Sequence, residues 1–158
     1  MRIEKSIAHP KALKLLTDDF FWDQSDEFAP FGSDEAHNIL SQFTHWKAFN
    51  PHAPYQDFVV ARSLQMSLTP LHLSQSVDEL SPQEFQTFCE DLDSEIIAIG
   101  LVQLVTEGNI EAQLKSWTTC AVQRKLHPQT IEYWDLEGWD KQAWITMMQT
   151  TLKVLQQL

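Results

Sequence analysis

The sequence predicts one all-α domain spanning residues 1–158, an irregular bundle of about six or seven helices, and three observations predict it. Apolar residues recur at spacings of three and four along most of the chain, helix-start signals precede those stretches, and only 4 glycines occur in 158 residues, with no fixed-period repeat. A chain of this length buries enough surface to hold one core without metal or disulfide staples.

Pro10 opens a first helix, with Leu13 and Leu16 facing inward. Residues 18–31 are too crowded with acids and aromatics to show a period, so they read as a loop or a broken helix. Ser33 then caps a helix whose first turn holds Asp34 and Glu35 and whose stripe is Ala36, Ile39, Leu40, Phe43 and Trp46, up to Asn50-Pro51. A further helix begins at Pro54, turns Tyr55, Phe58, Val59 and Ala61 inward, and ends before Thr69-Pro70.

The strongest local signal is Leu80-Ser81-Pro82-Gln83-Glu84-Phe85. Ser81 and Glu84 make a capping box, Pro82 takes the first helical position, and Leu80 with Phe85 occupies the two places of a hydrophobic staple. The stripe continues through Phe88, Cys89 and Leu92, and residues 96–105 are apolar on most sides, hence central. One long helix and two helices with a break both fit this stretch. Gly108 suits a left-handed helix end, and Asn109 suits the cap of a helix carrying Ile110, Leu114, Trp117 and Ala121 on one face. Its Glu111 and its Arg124-Lys125 pair match the helix dipole before His127-Pro128 ends it. Residues 130–134 read as a short extended piece, and a last helix over 139–158 turns Trp144, Met148, Leu155 and Leu158 inward. The core is therefore expected from the stripes of 36–46, 85–105, 110–121 and 144–158.

Charge narrows the function. Against 22 Asp and Glu stand 11 Lys and Arg, a formal charge of -11. Residues 15–46 contain no Lys or Arg while holding Asp18, Asp19, Asp23, Asp26, Glu27, Asp34 and Glu35, and residues 63–114 are also free of bases. Binding a phosphate backbone needs clustered cations, so nucleic acid is not expected as a partner, and neither is an anionic membrane. The run 96–105 is too short for a membrane span, the polar start lacks the apolar region of a signal peptide, and two cysteines without C-x-x-C suit a reducing compartment. These features predict a cytoplasmic protein.

Local catalytic signatures are missing: the chain has no H-E-x-x-H, no G-x-S-x-G elbow, no phosphate loop and too few glycines for a dinucleotide fingerprint. Cys89 and Cys120 fall on or beside core stripes, which is ordinary packing. No catalytic residue, resident metal or cofactor is therefore expected. The alternative is a metal-dependent enzyme or metal-binding protein built on Asp34 and His37, three apart on one helix face, with Glu35 or a carboxylate of 23–27 completing the shell. His45 lies about 12 Å further along the axis and cannot join that site.

The segment 18–35, DDFFWDQSDEFAPFGSDE, mixes five rings with seven carboxylates. Rings supply contact area at low entropic cost and acids steer a basic partner, so Trp22, Asp23, Asp26, Glu27 and Phe31 are the binding candidates. The same rings can instead pin an irregular loop to the helices. Both hold together if Phe21 and Phe28 anchor while Trp22 and the acids stay outside.

The run Phe21-Trp22-Asp23, followed by Glu27-Phe28-Ala29-Pro30-Phe31-Gly32-Ser33-Asp34-Glu35, resembles a stretch of the YfeS-like family of small bacterial proteins. The resemblance covers mainly residues 21–46 and implies a bacterial cytoplasmic origin and no catalytic residues. In size and charge the chain is also similar to small acidic immunity proteins that neutralise toxins. The leading expectation is a non-enzymatic module, immunity-like in kind, that binds a basic protein partner. A homodimer closing on the apolar run 96–105 is a further reading.

Overall fold

In the computed structural model, which describes residues 3–158, the apolar run 96–105 becomes the axis around which the other helices are laid. The α-helical segments described are α1 (Pro10–Leu15), α2 (Asp34–Phe49), α3 (Tyr55–Gln65), α4 (Pro70–Leu73), α5 (Pro82–Thr87), α6 (Asp93–Glu107), α7 (Ala112–Leu126), α8 (Pro128–Tyr133) and α9 (Gly138–Gln156). Among the described residues there is no strand. The fold is an all-α single-domain bundle, as the periodicity predicts.

Helix α6 is buried on every side because α7 and α2 flank it and α1 and α3 cover the rest, while α9 packs on α7. The α6–α7 crossing is close: a Cβ on Gly100 would lie 2.2 Å from Thr118 Oγ1. Residues 96–105 thus face other parts of the same chain and offer no apolar face to a second copy. At the end of α6, Gly108 adopts φ +78, the left-handed cap expected of it.

Residues 82–107 match neither of the two alternatives outright. Helices α5 and α6 form one continuous rod, but Phe88–Leu92 between them is a single π turn. Such a turn accommodates one extra residue and rotates the faces of the helix beyond it. Phe88, Cys89, Leu92 and Asp93 are all buried there. The cap signals hold: Ser33 Oγ accepts the Ala36 N–H at 3.1 Å, Ser81 and Glu84 form the capping box, and Leu80 and Phe85 meet in a small cluster with Val77 and Cys89.

Several expectations are corrected. In α1 the inward residues are Ala12 and Leu16 while Leu13 is exposed, and in α3 Ser63 is buried in place of Ala61. Helix α7 begins at Ala112, with Glu111 rather than Asn109 at the cap position. The Glu111 carboxylate serves a different helix: it accepts the N–H groups of Tyr55 (3.0 Å) and Gln56 (3.1 Å) at the start of α3. Residues 130–134 are largely helical, since His127 Nδ1 accepts the Gln129 N–H and Pro128 opens α8. Two long-range ion pairs fix the rod: Arg62 grips Glu95 with two hydrogen bonds of 2.9 and 2.8 Å, and Arg124 meets Asp93 at 2.9 Å.

Candidate functional site

The binding candidates of the 18–35 segment are mostly consumed by the segment itself. Phe21 and Phe31 are fully buried, and Trp22 is half-buried with its indole N–H donated to the Leu16 carbonyl at 2.9 Å. Asp23 Oδ1 accepts the hydroxyl (2.6 Å) and N–H (2.8 Å) of Ser25, and these bonds hold its carboxyl below the usual range. Asp26 Oδ1 accepts the Phe28 N–H at 2.9 Å. Gly32 is required because a Cβ there would lie 1.9 Å from the Asp26 carbonyl oxygen, so the chain turns back hard on itself. Rings pin this loop and two of its acids stitch it.

That winding makes one wall of a cleft of about 520 Å³. Of the five candidates only Glu27 reaches it; Trp22, Asp23, Asp26 and Phe31 are not brought there. Asp34 lines the opening and is exposed, as is His37, which lies outside it. Among the described residues no group of three or more His, Cys, Asp or Glu side chains is placed to hold a metal ion.

The other walls come from the π turn, which supplies Cys89 and Glu90, from the α8–α9 turn, which supplies Trp134 and Asp135, and from the first turn of α9, which supplies Asp140. Asp135 holds φ 52, a left-handed position that Asp tolerates. Glu90 is fixed by the Tyr133 hydroxyl at 2.5 Å and by Gln86 at 3.1 Å. Hydrogen bonding to that carboxylate is the main reason the Tyr133 phenol is pushed up to about 12.

Lys125, from the last turn of α7, lies at the inner end. Its residue is 8% exposed. The Trp144 indole N–H donates to its backbone carbonyl at 2.8 Å, and its ammonium stands 4.6 Å from the centre of the same Trp144 ring, which Phe28 meets edge-on at 5.5 Å. Among the described residues that ammonium has no hydrogen bond and no ion pair. Burial lowers its pKa, with Asp93 pulling the other way. Cys89 beside it is pushed up to about 11, chiefly by burial, which leaves its thiol protonated and unreactive near neutrality.

Six carboxylates surround the opening, Glu27, Asp34, Glu35, Glu90, Asp135 and Asp140, with Lys125 as the one cation among the described residues lining it. Exposed Trp134 supplies a ring beside them. A recess lined by one sign concentrates field and draws counter-charge inward. Sequence reasoning finds Glu27, Asp34 and Glu35 but misses the α8–α9 side. It also reads Lys125 as an ordinary dipole-matching cation. Comparison of the chain with protein-family models, curated proteins and solved structures finds no match.

Proposed function

We propose that this chain is a non-enzymatic binding protein that takes a basic segment of a partner protein into the cleft between the 25–35 loop and the α8–α9 turn; an immunity-like antagonist is one form of that role. The observation carrying this reading is convergence. Separate stretches of chain, the loop, the start of α2, the π turn, and the α8–α9 turn with the first turn of α9, bring six carboxylates to one opening. Gathering like charges is unfavourable in the free protein, and the strain is relieved when cations enter. Trp134, 41% exposed, offers a face on which an arginine or lysine side chain can stack.

The test is association of an arginine-rich peptide, measured by stopped-flow fluorescence over a range of salt. Asp135→Asn with Asp140→Asn should slow association and flatten its salt dependence, while Asp18→Asn with Asp57→Asn, an equal charge change elsewhere, should leave both close to wild type. Equal effects from the two pairs would show that net charge alone attracts the peptide and would sink the cleft as the site.

A further inference from the structure

The rim explains why a cation would enter; it does not explain Lys125. The Lys125 residue is more than nine-tenths buried, and an ammonium so enclosed ordinarily has an anion beside it, because a charge with little water and no close counter-ion is costly. The nearest acid in the core, Asp93, is already held by the Nε of Arg124 at 2.9 Å. Among the described residues no acid stands within ion-pairing distance of the Lys125 ammonium; Asp93 and Glu35 act on it only at longer range, and its close contact is the face of Trp144, 4.6 Å away.

We infer that the cleft reads the C-terminus of a basic chain, with the terminal carboxylate placed on Lys125 and the cationic side chains of that segment on the rim carboxylates. This rests on the reading above and sharpens it. A free inorganic anion would have to pass six carboxylates to reach Lys125, and the field opposes it. An internal basic segment would satisfy the rim but bring further positive charge toward an unneutralised lysine. An anion covalently attached to cations avoids both penalties, and a peptide ending in arginine or lysine is such a molecule. At about 520 Å³ the recess has the volume of a small-ligand site, enough for the last two or three residues of a chain. Free arginine has the same chemistry in smaller form.

The deciding measurement is fluorescence anisotropy with the full-length protein and one N-terminally labelled hexapeptide, glycine and arginine alternating and ending in arginine, made as the free acid and as the C-terminal amide. The acid carries less positive charge, so a purely acidic site prefers the amide. The inference predicts the reverse, with the acid bound about tenfold or more tighter, the worth of one charge-assisted hydrogen bond. It further predicts that Lys125→Met abolishes the preference. An amide that binds as tightly as the acid overturns the inference and leaves the proposed function standing; failure of both peptides overturns both. Free arginine displacing the acid peptide at the peptide's own concentration would assign the site to the amino acid and overturn the chain-end reading. The acid-to-amide comparison uses the unaltered protein, so it decides the matter even if the lysine variant folds poorly.

Discussion

Arg124 and Lys125 are neighbours in the last turn of α7, and both are more than nine-tenths buried, yet they face opposite regions built on opposite rules. Arg124 turns toward α4 and the rod. Its Nε donates to Asp93, its Nη1 donates to the carbonyls of Leu73 (3.1 Å) and Gln75 (2.8 Å), and its plane lies over Phe88 at 4.2 Å. Its Nη2 approaches the same Asp93 oxygen at 2.9 Å without the alignment of a hydrogen bond, so the contact there is ionic only. Lys125 turns the other way, into the cleft, and meets a ring. One cation is used to join segments of the chain. The other is held ready, and in a protein with twice as many acids as bases that is a choice of position and not a shortage of carboxylates.

The comparison breaks most readily on stability. Arg124→Met strands the Asp93 carboxylate, 1% exposed, and frees two buried carbonyls, so unfolding should become easier by about 3–5 kcal/mol. For a domain of this size that lowers the melting temperature by roughly 10 °C. Lys125→Met replaces an unpaired ammonium with an apolar chain of similar length and should leave stability within about 1 kcal/mol of wild type or raise it. Urea unfolding of the two variants side by side checks this. Comparable losses would mean that Lys125 is a structural cation like its neighbour.

Trp144 holds both ends of Lys125, its carbonyl and its ammonium, and it gives a smaller effect. Trp144→Phe keeps a ring under Lys125 but removes the N–H that satisfies the buried Lys125 carbonyl at 2.8 Å. The expected cost is about 1–2 kcal/mol, measured by thermal unfolding. The same substitution should alter peptide binding through Lys125 while leaving the Arg124–Asp93 side intact. A loss as large as that of Arg124→Met would show that the two sides share one cooperative packing unit.

How much of this is legible in the sequence depends on how local each cause is. Ser33, the Ser81–Glu84 box and Gly108 act within one turn of themselves, and each is readable. The all-α class comes from the same short-range periodicity. Glu111 is misread because its carboxylate caps α3, more than fifty residues away, and nothing near it announces that partner. The π turn at Phe88–Leu92 is hidden because an extra residue changes facing without leaving a breaker residue behind. In the 18–35 segment the sequence leaves open whether the rings pin the loop or contact a partner, and it does not show that Asp23 and Asp26 stitch the turn. The cleft itself unites residues from 25 to 144, and its acids stand on elements that meet only in the folded chain. Arg124 and Lys125 carry the same charge side by side; only the helix's hundred-degree step separates their fates.

The smallest effect is the one that reports most directly on the cleft, the pH dependence of stability assigned to Lys125. Burial lowers its folded pKa below the ordinary lysine value of 10.5, with Asp93 offsetting part of the effect and with Cys89 and Glu35 also acting on it. Between that lowered value and 10.5 the unfolded chain binds more protons at this lysine than the folded chain does, so its contribution to stability rises with pH across that window. Lys125→Met lacks this contribution. Any stability advantage of the variant should therefore shrink as pH approaches 10.5, where both forms of the wild-type lysine are shedding their charge. Cys89, shifted from 9.0 to about 11, works in the opposite direction, binding more protons when folded, but it is present in both proteins and largely cancels from their difference. Urea unfolding of the pair at neutral pH and near pH 10 measures the gap. A gap that widened toward alkaline pH would mean that the folded protein stabilises the ammonium, and the contrast with Arg124 would then be one of degree.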